Sequence, residues 1–224
     1  MTKFYLFKKI FRIFYFAVCL VATICTFMDH IAAFGGNGRP VTLFFTSWSV
    51  WLCFISSIFC FVFAMKEKDD SQNLVLLKFC ADIMIIATFI VAGFVLPEKI
   101  WTSEYWTFGG AFKHFLVPVM TVLDSVFFDK RASYKIFYPF AGVVIPLIYW
   151  FVIILRICIK RNSLGGFLPE DLWDFYYPYG FTNFDNGHSL VSLILLLAGI
   201  LAGLIAVGFL FLALKREKKD SFKK

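Results

Sequence analysis

The chain has 224 residues, of which 60% are hydrophobic, 21% aromatic and 17% charged. A soluble domain carries about 45–50% apolar and about 25% charged residues, so the composition excludes an ordinary soluble fold and indicates a protein that is embedded in a bilayer. The net charge of +7 does not indicate nucleic-acid binding, because the lysines and arginines flank apolar runs, where the positive-inside rule places them.

Six apolar segments follow one another along the chain, and each is long enough to cross a membrane. We predict helices over residues 10–34, 41–65, 74–96, 112–128, 136–158 and 189–214. Glycine-rich or charged stretches separate them, and the connections leave no room for a soluble domain. The sequence therefore predicts an all-α fold, a single transmembrane domain of residues 1–224 that forms a six-helix bundle.

Basic residues are distributed unequally between the two sides of this bundle. If the N-terminus is cytoplasmic, fifteen lysines and arginines lie on that side and six on the other. This asymmetry predicts that both termini are cytoplasmic and that Gly36, Trp106 and Tyr179 lie on the outer side. The basic cluster of Arg156, Lys160 and Arg161 on the outer side runs against this rule.

The one long connection, residues 162–188, is rich in aromatic side chains. Aromatic rings with polar tips are favoured at the membrane interface, so we expect this segment to lie there as an anchor. A lid over a site is the alternative interpretation.

Polar groups of the outer third of the membrane form a first candidate site. Polar residues inside a membrane have a high free-energy cost and are often functional. Pro118 has no N–H to bond the carbonyl of His114, four residues earlier. This predicts either a small polar cavity beside the histidine or an ordinary proline kink. The group consists of Asp29, His30, Thr46, Ser49 and His114.

A second polar group is predicted nearer the cytoplasm, where Lys78 and Asp82 are one turn apart and Asp124 lies deep in the fourth helix. Pairing of Lys78 with Asp82 or with Asp124 gives a structural charge cluster. An ion pathway is the alternative.

Small residues recur at helical spacing in two helices. Ser49, Cys53, Ser56 and Cys60 follow Thr46 along one face of the second helix, a face that we expect to point into the bundle. Gly199 and Gly203 give the last helix a similar predicted packing surface.

Two elements resemble a known family. Phe45-Thr46-Ser47-Trp48-Ser49 is similar to its F-T-x-x-S-N element, with Val50 in place of the asparagine. His114-Phe115-Leu116-Val117-Pro118, followed by Leu123-Asp124 and Phe128-Asp129, is similar to its H-x-x-V-P…L-D…F-D element, and Tyr138-Pro139, Arg156 and Tyr177-Pro178-Tyr179 follow in the expected order. The pattern resembles the bacterial six-transmembrane Pr6Pr family and, more distantly, the androgen-induced (FAR-17a-like) membrane proteins.

The resemblance implies a protein of the bacterial plasma membrane. The animal relatives imply a hydrolase of lipid esters, such as fatty-acid esters of hydroxy fatty acids, with Thr46 as nucleophile and His114 as general base. Ser49, Asp29 and His30 are candidate supporting groups. We expect no metal or organic cofactor, a membrane lipid or another hydrophobic small molecule as the partner, and no nucleic acid; the sequence indicates no oligomeric state. A transporter or channel component and a non-catalytic membrane assembly partner are the alternatives.

Overall fold

The computed structural model describes residues 3–34, 41–92, 107–130, 134–183, 185–186 and 189–215. A π-helix spans Phe112–Leu116, and short 3-10 turns lie at Val41–Leu43 and Gly180–Thr182. These parts of the chain contain no β-strand. Their α-helices are α1 (Lys3–Phe34), α2 (Phe45–Met65), α3 (Gln72–Ile90), α4 (Phe108–Ala111), α5 (Val117–Phe128), α6 (Tyr138–Gly142), α7 (Val144–Ser163), α8 (Glu170–Tyr176) and α9 (Leu190–Lys215).

Six helical spans are long and apolar enough to cross a membrane, which confirms the predicted all-helical bundle. The helices α1, α2, α3 and α9 each supply one span. The fourth span is built from α4, the π-helix and α5, and the fifth from α6 and α7. Many large apolar side chains of these spans are exposed, as lipid contact requires. The protein is a multi-pass membrane protein.

The first helix begins at Lys3 rather than at residue 10. Lys8 and Arg12 are therefore one turn apart on the same helix, where the sequence analysis counted them as flanking charges. Both side chains are buried, Arg12 completely. A helix can include such residues because their charged groups find acidic partners inside the bundle.

The other spans differ from the predicted ones mainly at their ends. The α-helix of the third runs to Ile90 and continues as a π turn at residues 91–92, and residues 93–96 of the predicted helix lie outside the described part of the chain. The fourth begins at Phe108 rather than at residue 112, and the fifth runs from Tyr138 to Ser163. Lys160 and Arg161 consequently lie in the last turn of α7, where the helix dipole favours basic side chains.

The central helix of the bundle is α3, which is the most buried of the spans. It contacts α2, α5, α6, α7 and α9. One hydrophobic cluster joins it to α1 and α2, and a second joins it to α6, α7, the segment around α8, and α9. Because both clusters include residues of α3, this helix joins the two halves of the bundle.

The small-residue face of α2 points into the bundle, as predicted. Ser49, Cys53, Ser56 and Cys60 are all completely buried. Two of them contact the facing helix, because Ser49 Oγ lies 3.2 Å from Met84 O and Cys53 Sγ lies 3.9 Å from Ala81 O.

The prediction that Gly199 and Gly203 form a packing surface within the bundle is wrong. A Cβ atom added at either glycine would meet no atom of the described residues within 4 Å. The close approach of α9 occurs at Gly208 instead, where an added Cβ would lie 2.9 Å from Pro139 Cβ. Spacing alone could not distinguish the face that contacts α6 from the face that points outward.

The two ends of the bundle differ in character. The N-terminal end is formed by the start of α1, the 66–71 connection, the start of α3 and the end of α5. The aromatic segment after α7 packs onto the opposite end, where Leu168 and Tyr177 are part of the core. Asp185 fastens this segment, because it accepts hydrogen bonds from Leu168 N at 3.0 Å and from Tyr177 Oη at 2.6 Å.

The basic cluster of Arg156, Lys160 and Arg161, which ran against the charge rule, contacts this segment. Arg161 Nη2 lies 2.9 Å from Asp185 Oδ1, and the Arg156 guanidinium lies 4.7 Å from the centre of the Tyr176 ring. These two charges are therefore satisfied locally by partners within the protein.

Candidate functional site

Thr46 is the second residue of α2, at the opposite end of the bundle, and its side chain is half-buried. The helix begins after the 3-10 turn, and the N-cap residue Phe44 supplies no side-chain hydrogen bond. The first backbone N–H groups of a helix have no partner within it and carry the positive end of its dipole. Thr46 therefore lies where developing negative charge would be stabilised.

Tyr179 covers the start of α2. Its hydroxyl oxygen accepts a hydrogen bond from the Phe45 N–H at 3.2 Å, and its ring packs against Trp150 with centroids 6.2 Å apart. Burial raises the pKa of Tyr179 to about 12, so the phenol stays protonated at neutral pH. Tyr149 of α7 also contacts this region, because its hydroxyl donates a hydrogen bond to Leu43 O, in the 3-10 turn before α2, at 2.7 Å.

His114 lies in the π-helix, where it is half-buried with its Nδ1 atom inaccessible to solvent. The Val117 N–H bonds to Phe112 O, five residues back. Pro118 cannot donate to the His114 carbonyl in the α-helical pattern, and the wider π turn ends next to this proline. Single π turns inside α-helices are frequent at functional sites.

The π-helix contacts α1, α2 and α3, so it faces the helix that carries Thr46. Lys113, the neighbour of His114, forms an ion pair with Asp29 near the end of α1. Asp29 is thereby held beside the histidine segment. His30 belongs to α1, but its side chain lies outside the described part. Within the described residues there is no hydrogen bond from Thr46 to His114.

Ser49 lies one turn below Thr46 and links two helices. Its Oγ atom is 3.0 Å from Phe45 O, and Thr88 Oγ1 of α3 lies 2.8 Å from Ser49 Oγ. The hydroxyl is completely buried. These contacts fix the start of α2 against α3 and thereby set the position of Thr46.

The N-terminal end of the bundle contains a buried ion-pair network centred on Arg12. Its Nε and Nη2 atoms donate to the two carboxylate oxygens of Asp124 at 2.8 and 3.0 Å. Its Nη1 atom donates to Asp70 Oδ1 at 2.7 Å and to Cys60 O at 3.2 Å. One guanidinium thus joins α1, α2, α5 and the 66–71 connection.

Lys78 is the second cation of the network. Its Nζ atom lies 2.6 Å from Asp124 Oδ2 and 3.2 Å from Asp70 Oδ2, and it also pairs with Asp129. Of the two partners considered from the sequence, Asp124 is the one that pairs with Lys78. No ion pair joins Lys78 to Asp82 in the part of the chain that the structure describes. Lys8 completes the network at 3.0 Å from Asp70 Oδ1.

Two acidic groups of the network lie outside the spans, and their pKa values shift in opposite directions. Burial raises the pKa of Asp70, but the hydrogen bond from Arg12 and the charge of Lys78 outweigh it and hold the pKa well below its ordinary value. For Asp129 burial prevails over Lys78, and its pKa is raised.

Four members of this network were not predicted from the sequence: Lys8, Arg12, Asp70 and Asp129. One signal was present, because Lys8 and Arg12 are four residues apart and so lie on one helix face. The burial of Asp70 could not be predicted from the sequence, since this residue lies in a connection with several other charges. Only the fold brings that connection beneath α1 and beside α5.

Comparison with family models, with curated proteins and with solved structures finds no match to this chain. The structure by itself therefore establishes a six-span membrane protein with one polar region at each end.

Proposed function

We propose that the protein is an intramembrane lipid-ester hydrolase in which Thr46 is the nucleophile and His114 the general base. The observation that carries this proposal is the contact between the π-helix that contains His114 and α2, the helix whose second residue is Thr46. The resemblance of both elements to the Pr6Pr and FAR-17a-like families supports it.

The chemistry requires a base that removes the threonine proton. His114 takes the proton of Thr46 Oγ1 while that oxygen attacks the ester carbonyl carbon. The carbon–oxygen bond to the alcohol then breaks, and the alcohol leaves with the proton from His114. A water molecule, deprotonated in turn by His114, attacks the acyl-threonine. The bond from the acyl carbon to Thr46 Oγ1 then breaks, Oγ1 takes the proton from His114, and the fatty acid leaves.

The surroundings of Thr46 suit this reaction. The start of α2 directs the positive end of a helix dipole toward the developing oxyanion. The side chain of Thr46 is half-buried, so it is partly open to a substrate. The substrate class is therefore a long-chain ester that partitions into the bilayer.

The test is ester hydrolysis by purified protein in liposomes, with a phosphonate probe that reacts with activated hydroxyls. We expect labelling at Thr46, and we expect Thr46→Ala and His114→Ala each to remove most of the turnover. The double variant should be little worse than either, because the two residues act as a unit.

Ser56→Ala is the matched control, since Ser56 lies on the same helix but its hydroxyl has no hydrogen-bond partner in the described residues. It should keep its activity. Full turnover by a folded Thr46→Ala variant would exclude the threonine mechanism, and no turnover by the wild type on a broad ester panel would exclude the hydrolase.

We infer a cytoplasmic location for both termini from the charge asymmetry. The test uses single cysteines in a background without the six native ones. Thr42→Cys, at the opposite end, should react with a membrane-impermeant thiol reagent in intact cells, and Lys68→Cys should not. Both side chains are exposed, so the reverse pattern would invert the topology.

A transporter is the second candidate function, and the buried network around Arg12 and Lys78 favours it, since charges inside membrane bundles often mark ion paths. Proteoliposomes that contain the protein would then show solute or ion flux. Flux that persists in Thr46→Ala, without any ester turnover in the wild type, would favour the transporter.

A further inference from the structure

Asp82 on α3 is completely buried in the middle of the bundle. Neither of its carboxyl oxygens has a hydrogen-bond partner at normal geometry among the described residues. The hydroxyl of Ser125 on α5 faces it from another helix. Asp124, one residue before Ser125, is equally buried but bonds to both Arg12 and Lys78.

The charges of the adjacent network are balanced without Asp82. Its buried cations are Lys8, Arg12 and Lys78, and its buried anions are Asp70, Asp124 and Asp129. Each cation contacts at least one of these three carboxylates. A fourth buried negative charge would have no counter-ion, and an uncompensated charge in a low-dielectric interior is strongly unfavourable.

We propose that Asp82 is a proton-binding site and that the folded protein holds it as a neutral carboxylic acid. A proton neutralises the carboxylate without the several oxygen ligands that a bound metal cation requires. This inference is independent of the hydrolase proposal, because it concerns the middle of the bundle rather than the end that carries Thr46.

Proton exchange at Asp82 is linked to the network through the groups that face it. Lys78 lies one turn away on α3, so a negative charge on Asp82 would compete with Asp129 and Asp124 for the ammonium group. Loss of the proton would thus weaken the contact that joins α3 to the end of α5. The titratable and polar groups around Asp82 are Cys53, Lys78, Cys80, Asp124, Ser125, Asp129 and Tyr134.

Infrared spectroscopy of the whole protein in liposomes tests the proposal. A protonated carboxyl group has a C=O stretching band that a carboxylate lacks, and labelling aspartate with carbon-13 identifies the residue type. At neutral pH we expect one aspartic-acid band in the wild type and its loss in Asp82→Asn. Absence of the band from the wild type overturns the proposal whether or not any variant folds.

Asp124→Asn is the matched control, because it changes an equally buried aspartate that is ion-paired. Asparagine resembles the neutral acid, so Asp82→Asn should leave the thermal midpoint in detergent unchanged or raise it, while Asp124→Asn should lower it. An equal fall in both variants would show that Asp82 is ionised. Disappearance of the wild-type band when sodium is added would identify a sodium site instead and reject the proton.

Discussion

Arg12 of the first span donates two hydrogen bonds to Asp124 of the fourth, of 2.8 Å from Nε and 3.0 Å from Nη2. Both side chains are completely buried. A parallel pair of bonds between a guanidinium and a carboxylate fixes distance and orientation together. This contact holds α1 against α5, which are far apart in the chain.

Breaking this pair from one side should destabilise the protein strongly. Arg12→Met leaves Asp124 with Lys78 as its one ion-pair partner among the described residues and removes a partner of Asp70. We expect a loss of about 3–5 kcal/mol in the free energy of unfolding, typical of an orphaned buried charge. Arg12→Met combined with Asp124→Asn restores the charge balance, so it should cost less than the sum of the two single changes. Thermal unfolding in detergent measures the coupling, and additive losses would mean that the two groups do not interact.

The acid stability of the protein should depend on Asp70. Its pKa is lower in the folded protein than in the unfolded chain, so it contributes stability above the unfolded pKa of about 4. That contribution is lost as the pH falls from there toward the folded pKa. Asp70→Asn should therefore lower the thermal midpoint at neutral pH and flatten its decline in acid.

Asp69→Asn is the control for this experiment. Asp69 pairs with Lys130, but both side chains are exposed, 57% and 69%, and exposed pairs contribute little. Its acid profile should follow that of the wild type. A profile of Asp70→Asn that parallels the wild type over the acid range would contradict the linkage.

Tyr179→Phe should loosen the start of α2. The change removes the acceptor of the Phe45 N–H and should cost about 0.5–1.5 kcal/mol of stability. If Thr46 is the nucleophile, ester turnover should also fall, because the helix end that carries it is no longer fixed. Tyr176→Phe is the matched control, since its ring contact with Arg156 survives the loss of the hydroxyl. Equal behaviour of the two variants would exclude the capping role of Tyr179.

Gly208 and Gly203 should respond oppositely to alanine. At Gly208 the new Cβ would lie 2.9 Å from Pro139 Cβ and 3.0 Å from its Cα, and such overpacking costs typically about 1–3 kcal/mol. At Gly203 the space is open, and alanine favours the helix by about 1 kcal/mol. The thermal midpoints in detergent should therefore fall for Gly208→Ala and rise slightly for Gly203→Ala. Similar midpoints would contradict the contact of α9 with Pro139.

The sequence by itself determined that the protein spans a membrane six times. Apolar runs of this length must be helical in lipid, because only a helix satisfies their backbone hydrogen bonds within one segment. The inward face of α2 could also be predicted, since residues at helical spacing share a face wherever the helix packs. For the same reason Lys78 and Asp82 were recognisable as buried charges on one side of α3.

Only the tertiary structure decided which charges meet. Arg12 and Asp70 looked like ordinary flanking charges, and they became buried partners because the first helix extends to Lys3 and the 66–71 connection lies beneath it. Asp82, predicted as a partner of Lys78, has no ion pair among the described residues because Asp70, Asp124 and Asp129 surround that lysine. Spacing along one helix fixes which residues share a face, whereas the choice of partner depends on how separate helices pack, which short-range sequence patterns do not encode.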